Sequence, residues 1–589
     1  MRRTSPWRVV LAAVAATAFV GTATSTPSGA GTPASEPDVA DAAGPYPFDL
    51  PPLEQLRAGD TKVYAHYFPL YPISLDNAPP DQDYYATQFL APDGEGGQHL
   101  AYGGFQRQRA LPRPPSTDAD WALDDMRTEV ERAVSAGLDG FVFNILGIDD
   151  SFWNRLLRLL DAAAEVDPEF DIVLMPDVQV DPQALADAIA SVADHPSAGR
   201  SRDGRLIISP FAAERQGVEW WSGWLDLMNS TYGVQVSFVP LLLDYYGNVE
   251  AFAPISTGLS HWGSRSPATN ADVLAYGNDA HARGKLWMQP VSVQDMRPRA
   301  GLFYEAANTE NLRLTWQAAI DGGAEWVQLV TWNDYSEHSA FAPSTGTGWV
   351  PLDLSSYYLT WFKTGVAPTI VRDAAYLSHR TQPVGAVPTG GQTQLMTVRP
   401  EGSEVRDTVE VVLMLAAPVD VVVDVGAERH EFRAEAGVST HVFPLALGTV
   451  SVRLVYSPDL EIVLTSPEPV TDQPVVQDLL YHMVGSAREG QFVGFTPPTT
   501  TAPPTTVPET AAPTATVDDT PVDTATATAS PATDGATGET PATTADDADD
   551  ADDGDGGVST PLAIGLGVGI GALGGAGALA LVRSRRGRR

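Results

Sequence analysis

Short apolar runs and segments of helical spacing alternate from Lys62 to Lys363, and this alternation constrains the fold more than anything else in the chain. The runs are KVYAHYF (62–68), DGFVFNI (139–145), DIVLMPD (171–177), RLIISPF (205–211), VSFVPLLLD (236–244), ISTGLSHW (255–262), KLWMQPV (285–291) and WVQLVTW (326–332). Runs this short and continuously apolar suit parallel strands covered on both faces. Helical spacing occupies 121–135, 152–165, 182–193, 271–282 and 308–320, and a last helix, 355–363, follows the eighth run. Eight strand signals interleaved with helices give the count of an α/β fold, the (β/α)8 or TIM barrel, over residues 53–370. An open doubly wound sheet usually carries a Gly-rich phosphate turn after its first strand. Here HYFPLYPISLDN stands in that place.

The rest of the chain divides by composition. Residues 1–30 place Arg2, Arg3 and Arg8 around a short apolar run followed by small residues, the order of a secretory signal peptide. A Pro/Ala-rich approach covers 31–52. After the barrel, 371–495 alternates like antiparallel strands, as in VEVVLML and VDVVVDV, and reads as a small β-sandwich accessory domain. Residues 496–560 are Thr/Pro-rich and then Asp-rich, too poor in apolar surface to fold, so they read as a disordered stalk. The apolar stretch 561–582 has the length of a transmembrane helix, and the basic tail 583–589 places its end in the cytoplasm. The expectation is an extracellular protein anchored to the plasma membrane. It has no cysteine, so no disulfide holds it and a large core must. The net charge of −38 argues against nucleic acid as a partner and fits an enzyme acting on a neutral polymer.

A (β/α)8 barrel places its reactive groups at the C-terminal ends of its strands. Those positions here hold His66 and Tyr67 on the first strand, Asn144 and then Asp149 on the second, Asp177 on the third and Asp244 on the fifth. His261 and Trp262 end the sixth strand and Gln289 the seventh. The densest group follows the eighth: Trp332, Asn333, Asp334, Tyr335, Glu337 and His338. Aromatic rings, amides and carboxylates suit a sugar, and glycoside hydrolysis needs two carboxyl groups. Asp334 and Glu337 are the best-placed pair, on a turn beyond the strand. An isolated D-x-x-E is common; its place after the eighth strand singles it out. Asp177 and Asp244 fit helix capping as well as substrate binding, and His66 fits packing as well as a substrate role. The three histidines lack metal-ligand spacing, so no metal or cofactor is expected.

VTWNDYSEHSAF (330–341) resembles the signature of glycoside hydrolase family 71, the endo-α-1,3-glucanases or mutanases. VYAHYF, AGLDGFVFNI, DGRLIISPF and KLWMQPVS follow in the family's order. The resemblance implies a barrel followed by a β-sandwich, hydrolysis of α-1,3-glucosidic bonds with inversion, and essential roles for Asp334 and Glu337. Glu337 is assigned as acid and Asp334 as base, roles that are exchangeable at this level, with Asp149 as the candidate for an assisting acid. The implied partner is an α-glucan bound by a monomer. Two departures bear on linkage: a long loop from Pro69 to Asp118, and SPFAAER where an acidic Phe-Glu turn is expected. The opening is also similar to the endo-mannosidase-like family 99 barrels, so another glycan linkage is one alternative, and a non-catalytic glycan-binding surface protein is the other.

Overall fold

The computed structural model describes residues 45–148, 151–270 and 273–488. Eight parallel strands form its main sheet: β1 (Lys62–Tyr67), β2 (Gly140–Ile145), β3 (Asp171–Pro176), β4 (Leu206–Ile208), β5 (Val236–Phe238), β6 (Gly258–Ser260) and β7 (Leu286–Ser292). After a hairpin of β8 (Met296–Arg297) and β9 (Leu302–Phe303) comes the eighth, β10 (Trp326–Val330). Their order is β5-β4-β3-β2-β1-β10-β7-β6. The two ends of the sheet meet at one parallel bridge, Leu241 to Ser260, so the barrel is nearly closed. Pro210 and Pro240 follow the short strands β4 and β5 and cannot donate a ladder bond, which interrupts the regular pairing there. Single bonds resume beyond them, from the Phe211 N–H to the Pro176 carbonyl and from the Leu241 N–H to the Pro210 carbonyl, both at 3.0 Å.

A helix follows each barrel strand: α1 (Trp121–Ser135), α2 (Ser151–Val166), α3 (Pro182–Val192), α4 (Val218–Tyr232), α5 (Tyr245–Phe252), α6 (Leu274–Ala282), α7 (Glu310–Asp321) and α8 (Val350–Thr364). Strand alternation sorts side chains into two cores. Tyr64, Val142, Val173, Ile207, Val239, Met288 and Val330 fill the barrel. Val63, Ala65, Tyr67, Phe141, Phe143, Leu174 and Leu329 pack outward against the helices. At the N-terminal end of the barrel the Asp139 carboxylate accepts the Val63 N–H at 2.6 Å and a bond from Lys363 Nζ of α8 at 2.8 Å, tying the first strand to the last helix.

Residues 374–485 add β11 (Ala374–His379), β12 (Thr397–Val398), β13 (Thr408–Leu415), β14 (Val419–Val425), β15 (Glu428–Ala434), β16 (Gly437–Pro444), β17 (Val450–Ser457), β18 (Leu460–Thr465) and β19 (His482–Gly485). Two four-stranded antiparallel sheets, β16-β13-β11-β19 and β15-β14-β17-β18, share one apolar interior that includes Leu377, Val411, Val423 and Val452. β12 leaves them and pairs with β9. Among the described residues no helix is long and apolar enough to cross a membrane. The expected leader, stalk and anchor, 1–30, 496–560 and 561–582, lie outside the described residues, as does Asp149.

The long loop after β1 is packed rather than open. Tyr71, Ile73, Tyr85 and Phe105 form an apolar cluster with Phe68, Tyr335 and Ala340. Arg109 is buried there, bonded to Asp83 Oδ1 at 2.7 Å and seated 4.4 Å above the Tyr85 ring.

Candidate active site

Inward-facing positions at the C-terminal end of the barrel collect polar groups with unfilled hydrogen-bonding capacity. His66, next along the inward face after Tyr64, is 3 % exposed, and neither ring nitrogen has a hydrogen-bond partner. Burial, aided by the Arg265 guanidinium, pulls its pKa down to about 3, so the ring is neutral. Trp262 meets it edge-on at 5.0 Å and meets Phe211 in the same way at 5.0 Å. Asn144 on β2 contacts Asp177 Oδ2 at 3.4 Å through Nδ2, while its Oδ1 is unpartnered. Burial raises the proton affinity of Asp177, against the pull of Arg215 at 3.4 Å. Arg265, in the loop after β6, lies 5.2 Å over the Trp262 ring with Nε and Nη2 unbonded.

The eighth loop turns sharply because Asp334 caps it. Asp334 Oδ1 accepts from the Ser336 N–H at 2.9 Å, the Ser336 hydroxyl at 2.8 Å and the Glu337 N–H at 3.0 Å. Its carbonyl accepts the Ser339 N–H at 3.1 Å. The capped turn keeps Asp334 near enough to Glu337 for its charge to act on that carboxyl. Glu337 lies 3.0 Å from Arg297 Nη1 and 3.8 Å from Arg265 Nη2, and its Oε2 has no hydrogen-bond partner. Burial raises the Glu337 pKa well above the ordinary carboxyl range; Arg297 opposes this, and the charges of Asp295 and Asp334 reinforce it. A carboxyl group whose proton affinity is raised in this way is suited to donate that proton.

The remaining sequence candidates make contacts within the protein frame. Tyr67 falls on the outward face of β1, where its hydroxyl donates to Glu129 Oε2 of α1 at 2.6 Å. Trp332 packs outward against Phe141 at 4.9 Å, and Tyr335 is fully buried in the cluster under the long loop. Asn333 pins the end of β1, accepting from the Phe68 N–H at 2.7 Å and donating to the Phe68 and Tyr71 carbonyls at 3.0 and 3.1 Å. His338 accepts the Arg107 N–H on Nε2 at 2.8 Å, which assigns the proton to Nδ1 and a 2.6 Å bond to the Met296 carbonyl. Burial lowers its pKa to about 4. Asp244 caps α5 through the Gly247 N–H at 3.0 Å. His261 and Gln289 face the helix side of β6 and β7. His261 stacks on Tyr276 at 4.7 Å, and Gln289 accepts the Trp287 indole N–H at 2.8 Å.

Sequence reasoning missed Arg265, Asp295 and Arg297. The run QDMR just beyond β7 was the available signal, an acid and a base at the catalytic end of a strand. Glu214, also overlooked, fills the place of the missing Phe-Glu turn differently. Its Oε1 accepts the Leu243 and Asp244 N–H groups at 2.8 and 2.9 Å, anchoring the loop after β5.

Residues 116–489 match glycosyl hydrolase family 71, a stretch that begins after β1 and the long loop and includes the two-sheet region. The ascus wall endo-1,3-alpha-glucanase of Schizosaccharomyces pombe is 23% identical over 251 residues, which cover 38% of this chain and 55% of that protein. A mutanase of Penicillium rubens is 24% identical over 371 residues, 57% of this chain and 79% of the mutanase. The chain thus spans about half the length of the first relative and about four-fifths of the second. A solved endo-alpha-mannosidase of family 99 from Bacteroides thetaiotaomicron superposes with a TM-score of 0.41 at 16% identity, covering 52% of this chain and 98% of that one.

Proposed function

The chain belongs to glycosyl hydrolase family 71, and from that premise we propose that it is an extracellular hydrolase of α-1,3-glucosidic bonds, with Glu337 as general acid and Asp334 as general base. The observation that carries the reading is the placement of Glu337 at the catalytic end of a barrel, its carboxyl buried, 3.0 Å from Arg297 and within reach of the Asp334 charge, where burial raises its proton affinity. Its proton passes to the glycosidic oxygen as the bond from that oxygen to C1 breaks. Asp334 takes a proton from a water molecule whose oxygen bonds to C1 from the opposite face, giving inversion. Three donors on one Asp334 oxygen orient the carboxylate and suit its charged form. The His66 ring nitrogens and Asn144 Oδ1, which make no hydrogen bond within the protein, are suited to sugar hydroxyls, and Arg265 adds a guanidinium beside Glu337. Trp262 offers an aromatic edge beside them.

The test is release of reducing sugar from insoluble α-1,3-glucan, with the product anomer followed by NMR. Wild-type turnover giving inverted product, lost in Asp334→Asn and Glu337→Gln, is expected. Turnover unchanged in both variants would sink the assignment, and products of another linkage would redirect the substrate. Display at the cell surface through residues 561–582 belongs to the same proposal, supported by the apolar sequence and the basic residues after it. Deleting 561–589 is expected to move the protein from the membrane fraction to the medium; retention in the membrane fraction refutes the anchor.

A further inference from the structure

The hairpin of β8 and β9 carries two charged residues that the hydrolytic scheme leaves without a task. Asp295 is buried completely and receives both arms of Arg297, Nε on Oδ1 at 2.9 Å and Nη2 on Oδ2 at 2.7 Å. The third nitrogen, Nη1, points the other way and lies 3.0 Å from Glu337 Oε1. Asp295 also lies 3.6 Å from Arg265, the second cation beside Glu337. The hairpin backbone is registered on the acid loop itself. The Met296 N–H donates to the Glu337 carbonyl at 2.8 Å, and His338 Nδ1–H donates to the Met296 carbonyl at 2.6 Å. Arg297 is therefore the immediate neighbour of a residue whose backbone is bonded to the acid loop.

Resting on the hydrolytic reading above, we propose that Asp295 and Arg297 are positioning residues for Glu337: the hairpin sets the guanidinium against one carboxyl oxygen, and Asp295 offsets its charge so that Glu337 remains a proton donor. A fork bound to a carboxylate keeps a fixed plane, so Arg297 can orient the Glu337 carboxyl while its charge is largely neutralised. The groups that face Glu337 are Arg297 and Asp295 from the hairpin, Arg265 from the loop after β6, and Asp334 from its own turn. His66 on β1 faces Arg265 in turn. Removing Asp295 takes away the acid that lies against both cations, which favours the ionised Glu337.

The experiment is the pH profile of kcat on an α-1,3-linked gluco-oligosaccharide. Asp295→Asn is expected to leave KM within about 3-fold and to lower kcat by about 10- to 100-fold, less than the roughly 10²–10⁴-fold of losing the acid outright. Its basic limb is expected to move at least about one pH unit lower, since a lone cation near a carboxyl depresses its pKa by about 1–3 units. Arg297→Gln should move that limb upward, and Arg297→Lys should keep it near the wild-type position at reduced kcat. An unmoved limb in a folded Asp295→Asn protein, judged by wild-type near-UV circular dichroism, overturns the proposal. Should Asp295→Asn not fold, an unmoved limb in Arg297→Gln overturns it equally. Infrared difference spectra of the protonated carboxyl band, wild type against Glu337→Gln, follow Glu337 without turnover. A wild type inert on glucan whose band midpoint still falls in Asp295→Asn refutes the substrate assignment while supporting the positioning role.

Discussion

Replacing Arg380 by methionine should show whether the two-sheet region is part of the catalytic structure or an independent attachment. Arg380, at the end of β11, is 1 % exposed. It donates to Glu305 Oε2 at 2.9 Å, the Leu479 carbonyl at 3.0 Å and the Arg406 carbonyl at 3.0 Å, and lies 4.0 Å above the Tyr481 ring. Glu305 follows β9 closely, and Leu479 donates to Met296 Sδ on β8 at 3.1 Å, so both hairpin strands lean on this one guanidinium. Removing one member of a buried ion pair costs about 3–5 kcal/mol. Glu305 keeps the Ala307 N–H and the Tyr481 hydroxyl, both at 2.7 Å, and methionine refills much of the volume between Phe303 and Tyr481. Those retained contacts reduce the cost, and the two carbonyls left without their donor increase it by about 1 kcal/mol each. The net expectation is about 4 kcal/mol. At roughly 2 °C per kcal/mol for a chain of this size, Tm falls by about 8 °C. Calorimetry should show one shifted transition, because the network joins the hairpin to the sheets. A cycle with Glu305→Gln should give a coupling of about 2 kcal/mol or more. Two separate transitions, with only the one assigned to the sheets displaced, would refute the reasoning, and so would strictly additive variants.

Other consequences follow from single contacts. Asp139→Ala leaves the Lys363 ammonium and the Val63 N–H buried without their acceptor, and urea unfolding should lose about 3–5 kcal/mol. On α-1,3-glucan Glu337→Gln should lower kcat by about 10²–10⁴, yet recover most of its rate on an α-glucosyl fluoride, whose leaving group needs no proton; Asp334→Asn should not recover, recovery of Asp334→Asn alone would exchange their roles, and recovery of both would refute the division into acid and base. Burial opposes the charge on His482, but Asp478 at 3.0 Å more than offsets it and raises the pKa to about 9. With the folded value above the ordinary 6.5, the stabilisation is complete below about pH 6.5 and is lost as pH rises through 9, a difference on the order of 3 kcal/mol. Denaturant midpoints of wild type minus His482→Gln should trace that loss, and a pH-independent difference would contradict it.

The barrel was legible because its strands are covered on both faces and therefore appear as apolar runs, with a helix needed between each parallel pair. The runs overstate β4 and β5, since RLIISPF and VSFVPLLLD continue past Pro210 and Pro240, where the regular ladder is interrupted. Tyr67 shows the limit within a strand. The reading placed it at the mouth with His66, but adjacent strand residues point to opposite faces, and only one of the two can enter the barrel.

In the eighth loop that rule is lost, because a turn has no period from which to assign directions. Its polar residues all resembled site residues in the sequence, yet each solves a different problem of holding a sharp turn against other loops. Asn333 fixes the exit of β1, His338 joins the turn to both the hairpin and the long loop, and Tyr335 fills the apolar floor between them. In the proposed scheme Asp334 and Glu337 act on the substrate, and Asp334 is itself the cap that makes the turn. Charge compensation around Glu337 was illegible for a related reason: Arg265, Asp295 and Arg297 stand far from it in sequence and meet it only when the barrel brings three loops together. A carboxyl whose proton depends on groups from three strands responds to any change that loosens one loop against another. Variants of Asn333 or His338, which touch no substrate in this scheme, are therefore expected to lower kcat more than they raise KM.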